Sequence, residues 1–133
     1  PLRGKNHEEL GPRFPAMTEA YDKKLVALAD QIGTEKGLRL MHGVYIGTPG
    51  PTFETPAEYE YFRIIGGDAV GMSTVPEVIV ANHAGMRVFG LSVITDLGGK
   101  DITEVPSHEE VQKAAIKAQP TVEAIVKEMV ARC

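Results

Sequence analysis

Apolar positions recur along the chain with two periods, and the breaks between them mark the elements. Over residues 17–32, Ala20, Leu25, Leu28, Ala29 and Ile32 follow helical spacing, and Gly33 is placed to end that helix. Residues 38–46 are strand-like, with Leu38, Leu40, Val44, Tyr45 and Ile46 as their apolar members. The Gly/Pro-rich stretch 47–56 cannot prolong a strand, so it is expected to be a structured loop. Thr55-Pro56-Ala57-Glu58 then has the form of a capping box, opening a helix that runs to about Ile65 and stops at Gly66-Gly67. Residues 68–72 read as a short buried strand. Thr74 to Glu77 reads as a second capping box, with a helix to Ala84 and Gly85 beyond it. Residues 88–95, VFGLSVIT, read as a fully buried strand. A loop follows over 96–106, and Ser107 to Glu110 opens a long last helix that Pro120 is expected to kink or split. Residues 1–16 carry three prolines and no period, which fits an ordered loop or a segment lying on another surface.

Strands apolar on both faces, each followed by a helix, give an α/β fold class. Three strands are few for a sheet covered on both sides, so the pattern points to part of a larger domain. Pro1 in place of an initiator methionine leaves processing and a fragment both open. The 133 residues fit one ordinary domain. A formal net charge of −4 with no basic run argues against nucleic acid as a partner. The single Cys133 excludes an internal disulfide framework and a multi-cysteine zinc site. No apolar stretch nears the ~18 residues of a membrane span, and no leader pattern is visible, so a cytoplasmic location is expected.

In an open α/β sheet, ligands collect beyond the carboxyl ends of the strands. Segments 47–55, 72–75 and 96–108 would lie there. Ser73 and Thr74 precede a helix start, where unpaired N–H groups can hold an anion; a plain helix cap and turn residue is the alternative. Glu54 could accept from the N–H or amino groups of a heterocycle with Phe53 stacked on it, or merely complement the helix dipole. His108, next after the Ser107 cap, is either a neutral ring that bonds a hydroxyl or a surface histidine. Asp96 directly follows a buried strand, as site residues and turn aspartates both do. His7, His42 and His83 have no ligand spacing and receive no role.

The strings GTPGPTFETPAE at 47–58 and GGDAVGMSTVPEVIVANHAGMRVFGLSVIT at 66–95 resemble the trimeric purine nucleoside phosphorylase family, as do RFPAM at 13–17 and SHEEV at 107–111. The resemblance covers nearly the whole chain in order. It implies residues 1–133 as the C-terminal portion of a single three-layer domain, with a mixed central sheet flanked by helices. It implies phosphorolysis of purine ribonucleosides, of the inosine or guanosine type, to free base and ribose 1-phosphate in purine salvage. The transition state would be oxocarbenium-like. Inorganic phosphate is the co-substrate, with no cofactor and no metal. Glu54, Asp96 and His108 match catalytic positions. Glu54 would hold purine N1–H and a 2-amino group, and His108 the ribose 5′-hydroxyl. Phe53 and Val70 match the base-pocket wall, Tyr45 and Met72 ribose contacts, and Ser73 a phosphate-binding hydroxyl. Phe14 matches an aromatic donated across a homotrimer interface to the neighbouring subunit's site.

Two departures qualify the match. Position 96 is Asp where the family usually has Asn. An ionised Asp can only accept, which suits a 6-amino purine protonated at N7, whereas Glu54 suits 6-oxopurines. The chain also corresponds to the family's second half, without the serine, arginine and histidine that the first half supplies to phosphate. A methylthioadenosine phosphorylase is the nearest alternative, supported by Asp96 and opposed by Glu54 and His108. A non-catalytic nucleoside-binding or oligomerisation fragment is the alternative of another class, and the portion alone is expected to be inactive.

Overall fold

A computed structural model describes residues 1–99, 101 and 107–133. Asp22 sets the start of α1 (Lys23–Glu35), its carboxylate accepting from the Lys24 and Leu25 amides at 2.7 and 3.1 Å. The helix therefore begins later than apolar spacing alone predicts. It also runs past Gly33, which is buried within it. A Cβ at Gly33 would stand 3.1 Å from the Leu40 side chain and 3.2 Å from the Leu38 carbonyl, so the glycine serves the returning chain. Gly37, at φ 66°, supplies the left-handed turn that ends the helix region instead.

Two parallel strands follow, β1 (Tyr45–Gly47) and β2 (Ala69–Gly71), paired Tyr45 to Ala69, Ile46 to Val70 and Gly47 to Gly71. Only the end of the expected strand 38–46 joins this ladder. Its earlier part packs Leu38 and Leu40 against the core. Asp68 anchors the entry: its carboxylate accepts from Val44 N–H at 2.8 Å, and its own N–H donates back to the Val44 carbonyl. Between the strands runs α2 (Pro56–Ile64), with the expected Thr55–Glu58 capping box in place. After β2 comes α3 (Val75–His83), ended by Gly85 at φ 71°.

The Thr74 cap is a correction. Thr74 lies at φ 73° and its side chain caps nothing. An N-cap needs extended backbone to aim its oxygen at the first helical amides, and the left-handed conformation aims it elsewhere. Residues 88–95 are a second correction. They enter no ladder among the described residues, and Leu91, Val93 and Ile94 are exposed. A strand exists only through its neighbours, and none is offered to this segment. It is held instead by the Val88 carbonyl accepting from Asp22 N–H at 2.8 Å.

The last helix, α4 (His108–Arg132), opens on the expected Ser107–Glu110 capping box and passes through Pro120 without a split. Proline removes the N–H that would reach the residue-116 carbonyl. Ile116 is 68% exposed, so water can serve that carbonyl. The buried core joins the two long helices: Leu25, Ala29 and Ile32 of α1 meet Ile125 and Met129 of α4, with Phe89 packed alongside. The strands are only half-buried. The segment before α1 is pinned to the end of α3, where buried His83 places Nε2 3.2 Å from Asn6 Oδ1 and the Asn6 amide donates to the Gly11 carbonyl.

Candidate active site

Gly47 and Gly71 are partners at the carboxyl ends of the strands, and the chain leaves this edge twice. After β1 it forms the loop 48–55. After β2 it turns through Met72, Ser73 and Thr74 into α3. Thr48 N–H donates to the Gly71 carbonyl at 2.9 Å, fastening the start of the loop to β2. Both glycines are required by close approaches. A Cβ at Gly71 would fall 2.2 Å from the Tyr45 hydroxyl, and one at Gly47 would fall 2.8 Å from Val75. The Tyr45 phenol thus lies across β2 and reaches Ser73 Oγ at 3.3 Å, and Ser73 Oγ is 3.2 Å from Thr74 Oγ1. Three hydroxyls meet where α3 begins, and Thr74 holds its place there in a conformation that non-glycine residues rarely adopt.

Across from them, Gly50 at φ 58° brings loop backbone against Met72, whose sulfur would lie 2.1 Å from a Cβ at that glycine. The same loop carries Glu54. Its Oε1 accepts from Thr48 Oγ1 at 3.0 Å, so the carboxylate is held from the end of β1. Tyr59 stands one turn into α2, where burial first, then the Glu54 and Asp96 charges, push its phenol above the ordinary value. The phenol therefore stays a donor through neutral pH. Asp96 Oδ1 accepts from Thr95 Oγ1 at 2.8 Å. The structure thus holds the Glu54 carboxylate on one side of the strand ends and gathers three hydroxyls at a helix start on the other.

Tyr45, Met72, Ser73 and Glu54 lie at this edge, with Val70 half-buried on β2; Asp96 is linked to it only by its charge acting on Tyr59. Phe53 is in the same loop and 42% exposed. Phe14 is not drawn in: it is 87% exposed, with the Arg13 guanidinium 5.9 Å from its ring centre. His108 is the first residue of α4, where the Gln112 side-chain nitrogen lies 3.0 Å from its Nε2; no described contact joins it to the cluster. Residues 100 and 102–106, part of the expected loop 96–106, lie outside the described residues. Sequence reasoning missed Tyr59 and Thr48, whose only signal was nearness to Glu54. The cluster is poor in cations. Arg63 is the one Lys or Arg within 43–86, and it is engaged by Glu60 at 2.8 and 3.0 Å.

Chemically, the carboxylate side can accept from N–H and amino groups, and the hydroxyl side can donate to an anion at the positive helix end. The chain belongs to the phosphorylase superfamily, whose family model matches residues 1–131. It is 47% identical to purine nucleoside phosphorylase 1 of Bacillus subtilis over 99% of its own length and 49% of that protein's. Schistosoma mansoni purine nucleoside phosphorylase in complex with inosine superposes with a TM-score of 0.94 at 39% identity, covering 99% of this chain and 48% of that one. The adenosine complex of the same enzyme gives 0.94 at 38% identity, over 97% of this chain and 48% of that one. The chain spans about half the length of the relatives it matches.

Proposed function

We propose that the protein carrying this chain is a purine nucleoside phosphorylase, a pentosyltransferase that converts a purine ribonucleoside and phosphate into free base and ribose 1-phosphate. The observation that carries this reading is the placement of Glu54. It is held by Thr48 at the ladder's carboxyl edge, with the Ser73 hydroxyl at the neighbouring helix start. Each feature fits one part of a nucleoside. Glu54 accepts from the donor edge of the base, walled by Phe53 and Val70. Tyr45 and Met72 meet the ribose. Ser73 donates to phosphate.

In the reaction a phosphate oxygen forms a bond to C1′ as the bond to purine N9 breaks. The electron pair passes into the purine ring, which is stabilised by protonation at N7. Asp96 faces N7 in this reading and Glu54 steadies N1–H. His108 orients the 5′-hydroxyl from the start of α4. Residues 1–133 form the C-terminal portion of one three-layer domain, whose mixed sheet is completed by the half that these residues do not include. The working form is a cytoplasmic homotrimer in purine salvage, with Phe14 extended into a neighbouring subunit's site; its exposure supports that role. Among the described residues no helix is long and apolar enough to cross a membrane.

The test is phosphate-dependent release of hypoxanthine from inosine, or guanine from guanosine, by the full-length protein, with ribose 1-phosphate as co-product. Cleavage without phosphate, or none of either nucleoside, would overturn the reading. Methylthioadenosine assayed alongside would expose the nearest alternative.

A further inference from the structure

We propose that His83 is a positioning residue for a neighbouring subunit's site: with Asn6 and Gly11 it latches the segment 1–16 to the end of α3 and so fixes the root of Phe14. The proposal rests on the reading of Phe14 as a side chain delivered to the next subunit. Residues 1–16 contain no helix or strand, so their order comes from a few particular bonds. His83 is the last residue of α3, and its ring is buried although polar. Its Nε2 stands 3.2 Å from Asn6 Oδ1. The Asn6 amide nitrogen donates to the Gly11 carbonyl at 3.1 Å, which leaves Oδ1, an acceptor only, facing the ring; His83 must therefore donate from Nε2. Gly11 closes the latch from the other side. A Cβ there would fall 1.8 Å from the His83 carbonyl oxygen and 3.0 Å from its Nδ1, so only glycine lets the chain pass over the end of α3. The Leu10 and Gly11 amides both reach back to the His7 carbonyl, at 2.9 and 3.4 Å, and turn the chain between the two latch residues. The latch ends three residues before Phe14. In between, Arg13 ties the segment to its own beginning. Its Nη1 donates to the Gly4 carbonyl at 2.6 Å and the Leu2 carbonyl at 3.4 Å, and its guanidinium lies 5.9 Å from the Phe14 ring centre. Phe14 itself is 87% exposed. An aromatic ring on a fixed stem gives up little conformational freedom when a second copy takes it in. The other end of α3 carries Ser73 and Thr74, so one helix of 9 residues sets both the hydroxyls of its own site and the ring sent to the next.

The consequence is an effect on nucleoside binding that crosses between subunits. In the full-length protein, Asn6→Ala is expected to raise the KM for inosine about five- to tenfold, the scale of one lost hydrogen bond. The kcat and the phosphate KM should stay within about twofold. Gly11→Ala, which forces the chain off His83, should give the same pattern. His83→Gln keeps a donor and should stay nearer to wild type than His83→Leu; if the buried ring is needed for folding, Asn6→Ala decides alone. Co-expression of Asn6→Ala with Glu54→Ala is the sharper arm. Mixed oligomers bring an intact Glu54 together with an intact latch on the other subunit, so the inosine KM of the working sites should fall back toward the wild-type value. An Asn6 that merely stabilised its own subunit would give no such return. An unchanged inosine KM in Asn6→Ala, equal losses in the nucleoside and phosphate parameters, or no rescue in the mixed oligomer would overturn the proposal.

Hydrogen exchange separates the latch from the function on which the proposal rests. In Asn6→Ala the Leu10 and Gly11 amides should exchange about tenfold faster, while exchange within α1 and α4 is unchanged. Equal rates in the two proteins would show that the latch is absent, whether or not nucleosides are turned over. If exchange quickens but the wild type cleaves no nucleoside, the latch stands, and the proposed function falls together with the role of Phe14.

Discussion

Under the proposed function, Glu54 and Asp96 are the residues that decide what the base site accepts. Glu54→Ala should lower kcat/KM for inosine by about 30- to 1000-fold, the cost of removing a charge-assisted bond pair of roughly 2–4 kcal/mol. Steady-state kinetics on the full-length protein checks this, and an unchanged value would place Glu54 outside the base site. Asp96 pulls the other way. Its carboxylate accepts from Thr95 at 2.8 Å and contributes negative charge to the site. A 6-oxo group is itself an acceptor, and an amide would offer it a donor. Asp96→Asn should therefore raise the ratio of inosine to adenosine turnover, and a constant ratio would show that residue 96 does not face the base. Solved complexes of the Schistosoma enzyme with inosine and with adenosine make this a choice between ligands that a related site holds. Glu54 and Ser73 could be singled out because each lies between a strand end and a helix start, and Asp96 because it follows an apolar run. Tyr59 could not be. Its ring approaches Gly98, and nothing in the order of residues announces that encounter.

Among the elements, legibility followed the range of the interactions involved. The Thr55–Glu58 and Ser107–Glu110 boxes are closed within four residues, and both formed as the pattern predicts. Thr74 carries the same pattern, yet its backbone answers to the junction of β2 with α3 and the box does not form. Residues 88–95 have a strand's composition but depend on distant neighbours for their hydrogen bonds. The helix start at Asp22 is local again, and it titrates. Its carboxyl is held below the ordinary value of 3.8, chiefly by the Leu25 N–H, with Lys24 N–H and Arg87 adding to the effect. A depressed folded-state value means the contribution to stability is complete above about pH 4 and is lost as pH falls through the folded value. Asp22→Asn keeps an acceptor at the cap but cannot titrate. Wild type should therefore be the more stable protein at neutral pH, and the gap should close as pH falls below about 4, measured as urea midpoints from pH 7 downward. A gap constant with pH would separate Asp22 from the acid response. Deeper in, Ile125 is 1% exposed between α4 and α1. Ile125→Ala should cost about 2–5 kcal/mol by urea unfolding, the range for emptying a well-packed core site.

For the whole molecule, the balance of exposed apolar surface and missing charge leads to the last prediction. Residues 1–133 alone should show no measurable phosphorolysis of inosine at saturating phosphate. Phosphate is a multiply charged anion, and the start of α3 offers it the Ser73 and Thr74 hydroxyls without a free Lys or Arg in 43–86. An exposed helix end contributes only about 0.3–1 kcal/mol to an anion, too little to hold and orient it for attack. Stabilising charge in the transition state calls for preorganised donors in a site closed to water, and here Ser73 is exposed and Met72 is 53% exposed. The described ladder has two strands with open edges, and Leu91, Val93, Ile94 and Leu97 stand exposed beside it in sequence. Such edges and apolar side chains favour association. Residues 1–133 alone should thus sediment as more than a monomer and bind purine weakly, while a protein of the relatives' length that carries them should turn over. Assaying both proteins side by side, each verified by intact mass, checks this. Turnover by the 133 residues at the full-length rate would mean that the hydroxyls at the start of α3 suffice for phosphate, and the two-part assembly of the site would have to be abandoned.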